Sequence, residues 1–427
     1  MSASSPVKGW CPGARRPMQS GDGLIVRVRP HGGSLPVGSL TTLADAASRF
    51  GNGQIDLTRR ANLQIRGVTQ DGLDSVWDTL ASLGLLDDSA ESEAIRNIAV
   101  NPLAGLDPTE ITDLRPIAQA LERQLASSPE LQALPGKFAF VIDGGGLLPL
   151  TELAADVRLE ARCDGADVFV AIGLAMANGV AWLVAAAPSE AAEVAVQVAR
   201  AILTRGGVRR PHALSPQIVG AIRSELGLPG VPPNAVEGSD RARPRRGLIA
   251  LSTAQYAVGL GTAFGRIESG TLAALADVLR RVGAIDVRLS PWRALYAPVE
   301  SRADAEALIE TTRALGLIVD DADPLLRIDA CSGAGCCNAT ELRTRDHARL
   351  LAGLAARTGF TGTIHISGCA KGCARSAPAD LVLVGAGDGY RIVRHGTVRD
   401  EHACAVTASE IETKGIELLT THTNAHA

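Results

Sequence analysis

Residues 33–63, GSLPVGSLTTLADAASRFGNGQIDLTRRANL, align without a gap with residues 265–295, GRIESGTLAALADVLRRVGAIDVRLSPWRAL, at an offset of 232. Gly33/Gly265, Gly38/Gly270, Leu40/Leu272, Leu43/Leu275, Ala44/Ala276, Asp45/Asp277, Gly51/Gly283, Leu57/Leu289 and Leu63/Leu295 are identities. So long an offset is no solenoid period, so the sequence holds a duplicated module. Each copy reads as an apolar strand (residues 24–28; 256–260), a glycine turn, a helix of about ten residues, and a second strand (54–57; 286–289). Gly51 and Gly283 are expected to end the two helices in the left-handed conformation. Strand–helix–strand grammar of this size suits a ferredoxin-like α+β unit.

Working outward, the expected organisation is a first half-domain at 20–75 and a first α+β lobe at 85–226. A Pro-, Gly- and charge-rich linker (LPGVPPNAVEGSDRARPRRG) follows at 228–247, then a second half-domain at 248–320 and a second α+β lobe at 324–420. The length of 427 residues allows two or three domains. Hydrophobic residues at 46% and charged residues at 21% exclude global disorder. A net charge of −4 and aromatics at 3% argue against a nucleic-acid partner. The N-terminal MSASSPVKGW lacks the apolar core of a secretory signal, so a cytoplasmic location is expected. VFVAIGLAMANGVAWLVAAA, 168–187, is long enough for a membrane span, but Asn178-Gly179 near its middle reads as a tight hairpin turn between two buried strands. No membrane association is expected.

Five of the eight cysteines fall between 331 and 373, in ACSGAGCCNAT (330–340) and HISGCAKGCARSAP (365–378). Clustered cysteines in a reduced compartment point to metal before disulfide. The spacing Cys331-x5-Cys337 followed by Cys369-x3-Cys373 supplies four thiolates in two pairs, one soft ligand for each iron of a [4Fe–4S] cluster. Small residues around them let the loops wrap closely and aim N–H groups at sulfur. Zinc is the rival, through Cys331-x4-Cys336, and the role of Cys336 stays open at this stage.

LTRRANLQIRGV (57–68) closes the first copy. Read as a continuous strand, it places Arg60, Asn62, Gln64 and Arg66 on one face, a platform for carboxylate or phosphate. The second copy has Trp292, Ala294, Tyr296 and Pro298 there, so the polar face belongs to the first copy alone. Arg96, Asn97 and Lys137 are further candidates, in AIRNIAVNPLAG and LPGKFAF. GAGDG at 385–389 leads from strand to strand and is no dinucleotide fingerprint. With no flavin or nucleotide fold in sight, reducing equivalents are expected from an external donor.

TRRANLQIRG, IRNIAVNPLAG, LPGKFAF, the duplicated half-domains and the C-x5-C…C-x3-C set resemble the nitrite and sulfite reductase superfamily, which uses sirohaem and a [4Fe–4S] cluster. The resemblance covers about residues 20–395. It implies a sulfite reductase haemoprotein-like α+β fold, with two ferredoxin-like half-domains paired pseudo-symmetrically and two cofactor- and substrate-binding lobes. It further implies that Cys331, Cys337, Cys369 and Cys373 hold the cluster, with Cys373 bridging to sirohaem iron where sirohaem is present. Residues matching Arg60, Arg96 and Lys137 lie around tetrapyrrole carboxylates and substrate in that family. GWCPGARRPMQSGDGLIVRV (9–28) looks like the opening of the precorrin-3B synthase branch, which belongs to aerobic cobalamin synthesis.

That branch implies precorrin-3A and O2 as substrates, hydroxylation at C20 with lactone formation, and an NADH-linked or ferredoxin-like electron donor. A further non-haem iron or sirohaem is the expected oxygen-activating centre, with His365 and His402 as candidate ligands. Arg60, Gln64, Arg66, Arg96, Asn97 and Lys137 would then bind the carboxylates of the tetrapyrrole. The sequence departs from the reductases at two places: Ala61 stands where they usually have glutamine, and K-F-K becomes Lys137-Phe138-Ala139. The missing second lysine removes a cation that multi-electron reduction of a small oxyanion needs. A sirohaem-dependent nitrite or sulfite reductase is the alternative enzyme, and an electron-transfer carrier the non-catalytic one.

Overall fold

A computed structural model describes residues 11–206, 214–232, 235 and 245–420. Most of the expected linker, 233–234 and 236–244, lies outside the described residues, as do Gly9 and Trp10 of the N-terminal motif. The chain forms two compact units: Met1–Met18, Ile25–Gly261 and Ile267–Val319 in one; Gln19–Leu24, Thr262–Arg266 and Asp320–Ala427 in the other.

Both copies of the repeat fold alike. The first runs strand Gly23–Val28, helix Val37–Phe50, strands Gln54–Leu57 and Leu63–Val68, helix Leu73–Ser82. The second runs Tyr256–Gly261, Ser269–Arg281, Asp286–Leu289, Ala294–Val299 and Arg302–Ala314. Each helix turns its leucines inward: Leu40 and Leu43 in one, Leu272, Leu275 and Leu279 in the other. The copies also exchange a short strand. Ser34–Pro36 pairs antiparallel with Asp286–Leu289 of the second copy, through Asp286↔Pro36 and Arg288↔Ser34. Reciprocally, Arg266–Glu268 flanks Gln54–Leu57 in the sheet of the first copy. The exchange ties residues far apart in sequence into one pseudo-symmetric pair.

One expected cap differs. Gly283 ends its helix region at φ 72°, as expected, but Gly51 is extended at φ −120°. A Cβ on Gly51 would stand 2.5 Å from the Arg66 carbonyl oxygen, so this glycine serves close strand–helix approach instead.

The duplication extends beyond the aligned residues. The first lobe holds a five-stranded sheet in the order Gly179–Ala186, Asp167–Met176, Val157–Asp164, Phe140–Asp143, Ile98–Val100. The second lobe repeats it with Ile328–Ala330, Ile364–Ser367, Ala379–Ala386, Gly389–Gly396 and Cys404–Thr407. In both, the first three strands in sequence are parallel and the last two antiparallel. The apolar run at 168–187 is the hairpin Asp167–Met176 and Gly179–Ala186, paired through Gly179↔Met176. Its loop is Ala177–Asn178, and the positive φ falls on Gly179 alone, not on two turn residues. Among the described residues no helix is long and apolar enough to cross a membrane.

In the first lobe, the loop after Ile98–Val100 holds Glu110. Burial pushes its pKa up to about 7, against a hydrogen bond from the Gly105 amide, and Asp113 and Asp107 add to the rise. A carboxyl raised on folding favours the folded state while protonated, so its contribution is full below the unfolded value and is lost as pH rises through about 7. Chemical unfolding between about pH 5 and pH 8 should show stability falling with pH, and Glu110→Gln should flatten that slope. An unchanged slope in the variant would remove Glu110 as its source.

Candidate functional site

The cysteine pairs meet because their loops leave neighbouring parallel strands at the same end. Ile328–Ala330 runs directly into Cys331, and Ile364–Ser367 directly into Gly368-Cys369. Carboxyl ends of parallel strands are where open α/β sheets carry ligands. The Cys331 amide donates to the Ile366 carbonyl (3.1 Å), and the Gly368 amide donates to Cys331 Sγ (3.2 Å). Thr344 Oγ1 donates to the Cys331 carbonyl (2.8 Å) and lies 3.7 Å from its sulfur. A Cβ on Gly368 would stand 2.4 Å from the Thr340 side chain, and one on Gly385 would stand 2.2 Å from the Gly368 carbonyl oxygen. The loops therefore wrap as tightly as their small residues allow.

Burial raises the Cys373 thiol pKa, and Cys369, Cys331 and Cys337 each raise it further. Three sulfurs thus crowd Cys373 and oppose its ionisation, a cost that a cationic iron–sulfur core relieves. None of the eight cysteines is in a disulfide. No three His, Cys, Asp or Glu side chains among the described residues form a group placed to hold a single metal ion. A four-iron cluster takes one thiolate per iron around a cube, so the set fits that group. Cys336 faces elsewhere: Arg266 Nη1 lies 3.4 Å from its sulfur, and Ser20 Oγ donates to its carbonyl (2.9 Å). His365 is buried in the parallel sheet, in register with Asp329 and Val382. His402 is exposed and borders a cavity of about 310 Å³ with Arg391 and Arg399.

The anion platform differs from a single strand face. The strand begins only at Leu63, and residues 58–62 form the hairpin turn, with Ala61 at φ 52°. Thr58 Oγ1 accepts from the amides of Arg60 and Asn62 (3.2 Å each) and fixes that turn. Antiparallel pairing of Leu57 with Leu63 leaves these residues to close the loop, so only Gln64 and Arg66 keep the strand alternation. Arg60 donates through Nη1 and Nη2 to the Lys137 carbonyl (3.4 Å each), which brings two of the expected residues together. Asn97 Nδ2 donates to the carbonyls of Ala94, Gly136 and Phe138, and so shapes the loop that presents Lys137. Arg66 lies 3.8 Å from Asp56.

Arg96 is buried and committed. Its Nε and Nη2 donate to the two Asp87 carboxylate oxygens (2.9 and 2.6 Å), and Nη1 donates to the Arg29 carbonyl (2.9 Å). Glu122 lies 3.9 Å away. Sequence reasoning passed over Arg27 and Arg29, on the RVR run that ends the first strand. Arg29 is ion-paired with Glu93 at 3.4 Å, and burial pushes its pKa down to about 10. Glu93 also accepts from the amides of Ala14 and Arg15 (2.7 and 3.0 Å), which ties down the N-terminal segment. The signal available was two arginines at alternate positions, one in an otherwise apolar strand and one just after it.

The nitrite/sulfite reductase ferredoxin-like half domain matches residues 16–83 and 251–315, and the nitrite and sulphite reductase 4Fe-4S domain matches 91–205. The latter match falls on the first lobe, whose sheet order the cysteine-bearing lobe repeats. Precorrin-3B synthase of Sinorhizobium sp is 35% identical over 92% of this chain and 84% of its own. Sulfite reductase [ferredoxin] 1 of Mycolicibacterium paratuberculosis is 24% identical over 85% of this chain and 70% of its own. Ferredoxin--nitrite reductase of Synechococcus elongatus is 27% identical over 87% and 78%. The solved structure of Mycobacterium tuberculosis NirA protein matches with a TM-score of 0.72 at 22% identity, covering 91% of this chain and 79% of that one.

Proposed function

The chain belongs to the family of precorrin-3B synthase and the nitrite and sulfite reductases, all oxidoreductases, and we propose that it converts precorrin-3A to precorrin-3B. One oxygen atom of O2 enters the substrate at C20, with lactone formation from the ring-A acetate. The other leaves as water, taking two electrons and two protons. An NADH-linked or ferredoxin-like donor supplies the electrons.

The observation that carries this reading within the family is at position 139. The reductase pattern has a second lysine there; this chain has Ala139, only 9% exposed, whose amide donates to Asp156 Oδ2 (2.9 Å). Position 139 thus offers no second ammonium for a small oxyanion, while Arg60 and Lys137 remain beside each other for a carboxylated ligand. Arg60, Gln64, Arg66 and Lys137 would bind substrate carboxylates and fix which meso carbon is presented; Asn97 holds the loop that presents Lys137, and Arg96 holds the Arg29 carbonyl after strand Gly23–Val28. Cys331, Cys337, Cys369 and Cys373 would hold the [4Fe–4S] cluster, which when bound supplies electrons one at a time. Sirohaem or a further iron is a candidate for the oxygen-activating centre.

The test is anaerobic purification, then incubation with precorrin-3A, a reductant and heavy-isotope O2. One labelled oxygen atom per product molecule is expected. Reduction of nitrite or sulfite, with no label entering the tetrapyrrole, would establish the reductase instead.

A further inference from the structure

Seven arginines in the described residues are less than a tenth exposed: Arg27, Arg29, Arg66, Arg96, Arg158, Arg162 and Arg288. Six have a carboxylate within 4 Å: Glu93 for Arg29, Asp56 for Arg66, Asp87 for Arg96, Glu160 for both Arg158 and Arg162, and Asp286 for Arg288. Arg27 is the exception. It is 8% exposed, it has no carboxylate at ion-pair distance among the described residues, and its Nη1 makes no hydrogen bond. Its other donors are engaged. With the Gln64 amide turned so that its carbonyl faces the guanidinium, Oε1 accepts from Arg27 Nε (3.2 Å) and Nη2 (2.9 Å).

Taking a charge out of water without a counter-ion is costly, and buried charges are accordingly paired or bound to a ligand. Here burial lowers the Arg27 pKa, the neighbouring Arg60 lowers it further, and the Cys11 sulfur and, more weakly, Glu93 offset this. The guanidinium is therefore held by Gln64 and by the Cys11 side chain, keeps one buried nitrogen without a hydrogen bond, and stands beside a second cation that belongs to the substrate platform. That is an arrangement suited to anchoring an anion.

We infer that Arg27 binds one acetate or propionate carboxylate of the tetrapyrrole through Nη1, with Gln64 as its positioning residue. This rests on the tetrapyrrole reading above and adds to it a buried contact that selects the free acid over an ester or amide at that corner of the macrocycle. An ester or amide would bring no negative charge to the guanidinium.

The experiment compares the full chain with Arg27→Met and Arg27→Lys, measuring denaturant unfolding without ligand and equilibrium binding of precorrin-3A under anaerobic conditions. Arg27→Met should unfold at the same or higher denaturant concentration than the parent, because it removes an uncompensated buried charge. Its affinity should fall at least about tenfold, as loss of a charge-assisted hydrogen bond implies. Arg27→Lys, which keeps the charge on a shorter reach, should bind with intermediate affinity. A less stable or unfolded Met variant would mark Arg27 as structural and overturn the inference, as would a folded variant with parental affinity. Failure of the parent chain to bind precorrin-3A overturns the tetrapyrrole reading and the anchor together, so the two failures are separable.

Discussion

Cys369→Ala is expected to abolish cluster assembly, with protein-bound iron and acid-labile sulfide falling close to zero and product formation dropping more than about 100-fold. Loss of groups that merely support a metal ligand costs up to about 100-fold, and loss of the ligand itself exceeds that. The matched control is Cys336→Ala. Its sulfur lies against Arg266, whereas Cys369, Cys331 and Cys337 are the sulfurs acting on Cys373. The control should keep full iron content. Iron retained in the Cys369 variant, or lost in the Cys336 variant, would shift the ligand set by one position and reopen zinc-type coordination through Cys336. Iron content reads this independently of turnover.

The second large effect falls on stability. Arg96→Ala should destabilise the folded chain by about 3–5 kcal/mol, the usual cost of removing one partner of a buried ion pair. The substitution leaves Asp87 and Glu122 without their shared guanidinium and the Arg29 carbonyl without its donor. Chemical denaturation checks it. A variant of parental stability that binds precorrin-3A poorly would place Arg96 in direct substrate contact instead. Replacing Asp87 and Arg96 together should recover part of the loss, because no uncompensated charge then remains in that pair.

The contrast between Arg96 and Arg27 shows what a linear reading can and cannot separate. Arg27 stands within an apolar strand and Arg96 just before one. Arg96 is spent on Asp87, nine positions upstream, while Arg27 meets Gln64 on the neighbouring strand of the sheet. Nothing in residue type distinguishes them; the difference is the set of partners the fold brings within hydrogen-bond reach. The Arg60 strand face illustrates the same limit at shorter range. Alternation predicted four side chains on one face, but the hairpin between Leu57 and Leu63 needed residues 58–62 for its turn. A turn with no glycine and a positive φ on Ala61 has no local signature in this stretch.

By itself the sequence determined the duplicated grammar, the first strand, helix and second strand of each copy, the hairpin inside the apolar run, and the cysteine spacing from which a four-thiolate set is proposed. These are legible because periodicity, glycine placement and ligand spacing act over a few residues. The tertiary structure alone decided the strand exchange between copies, the repetition of the lobe sheet, the meeting of two cysteine loops at the ends of neighbouring parallel strands, and which buried arginine among the described residues has no carboxylate within ion-pair distance. Those depend on pairing between segments tens to hundreds of residues apart. Charge compensation is a property of distance in space, so only the folded chain could show that, among the described residues, no carboxylate lies at ion-pair distance from Arg27.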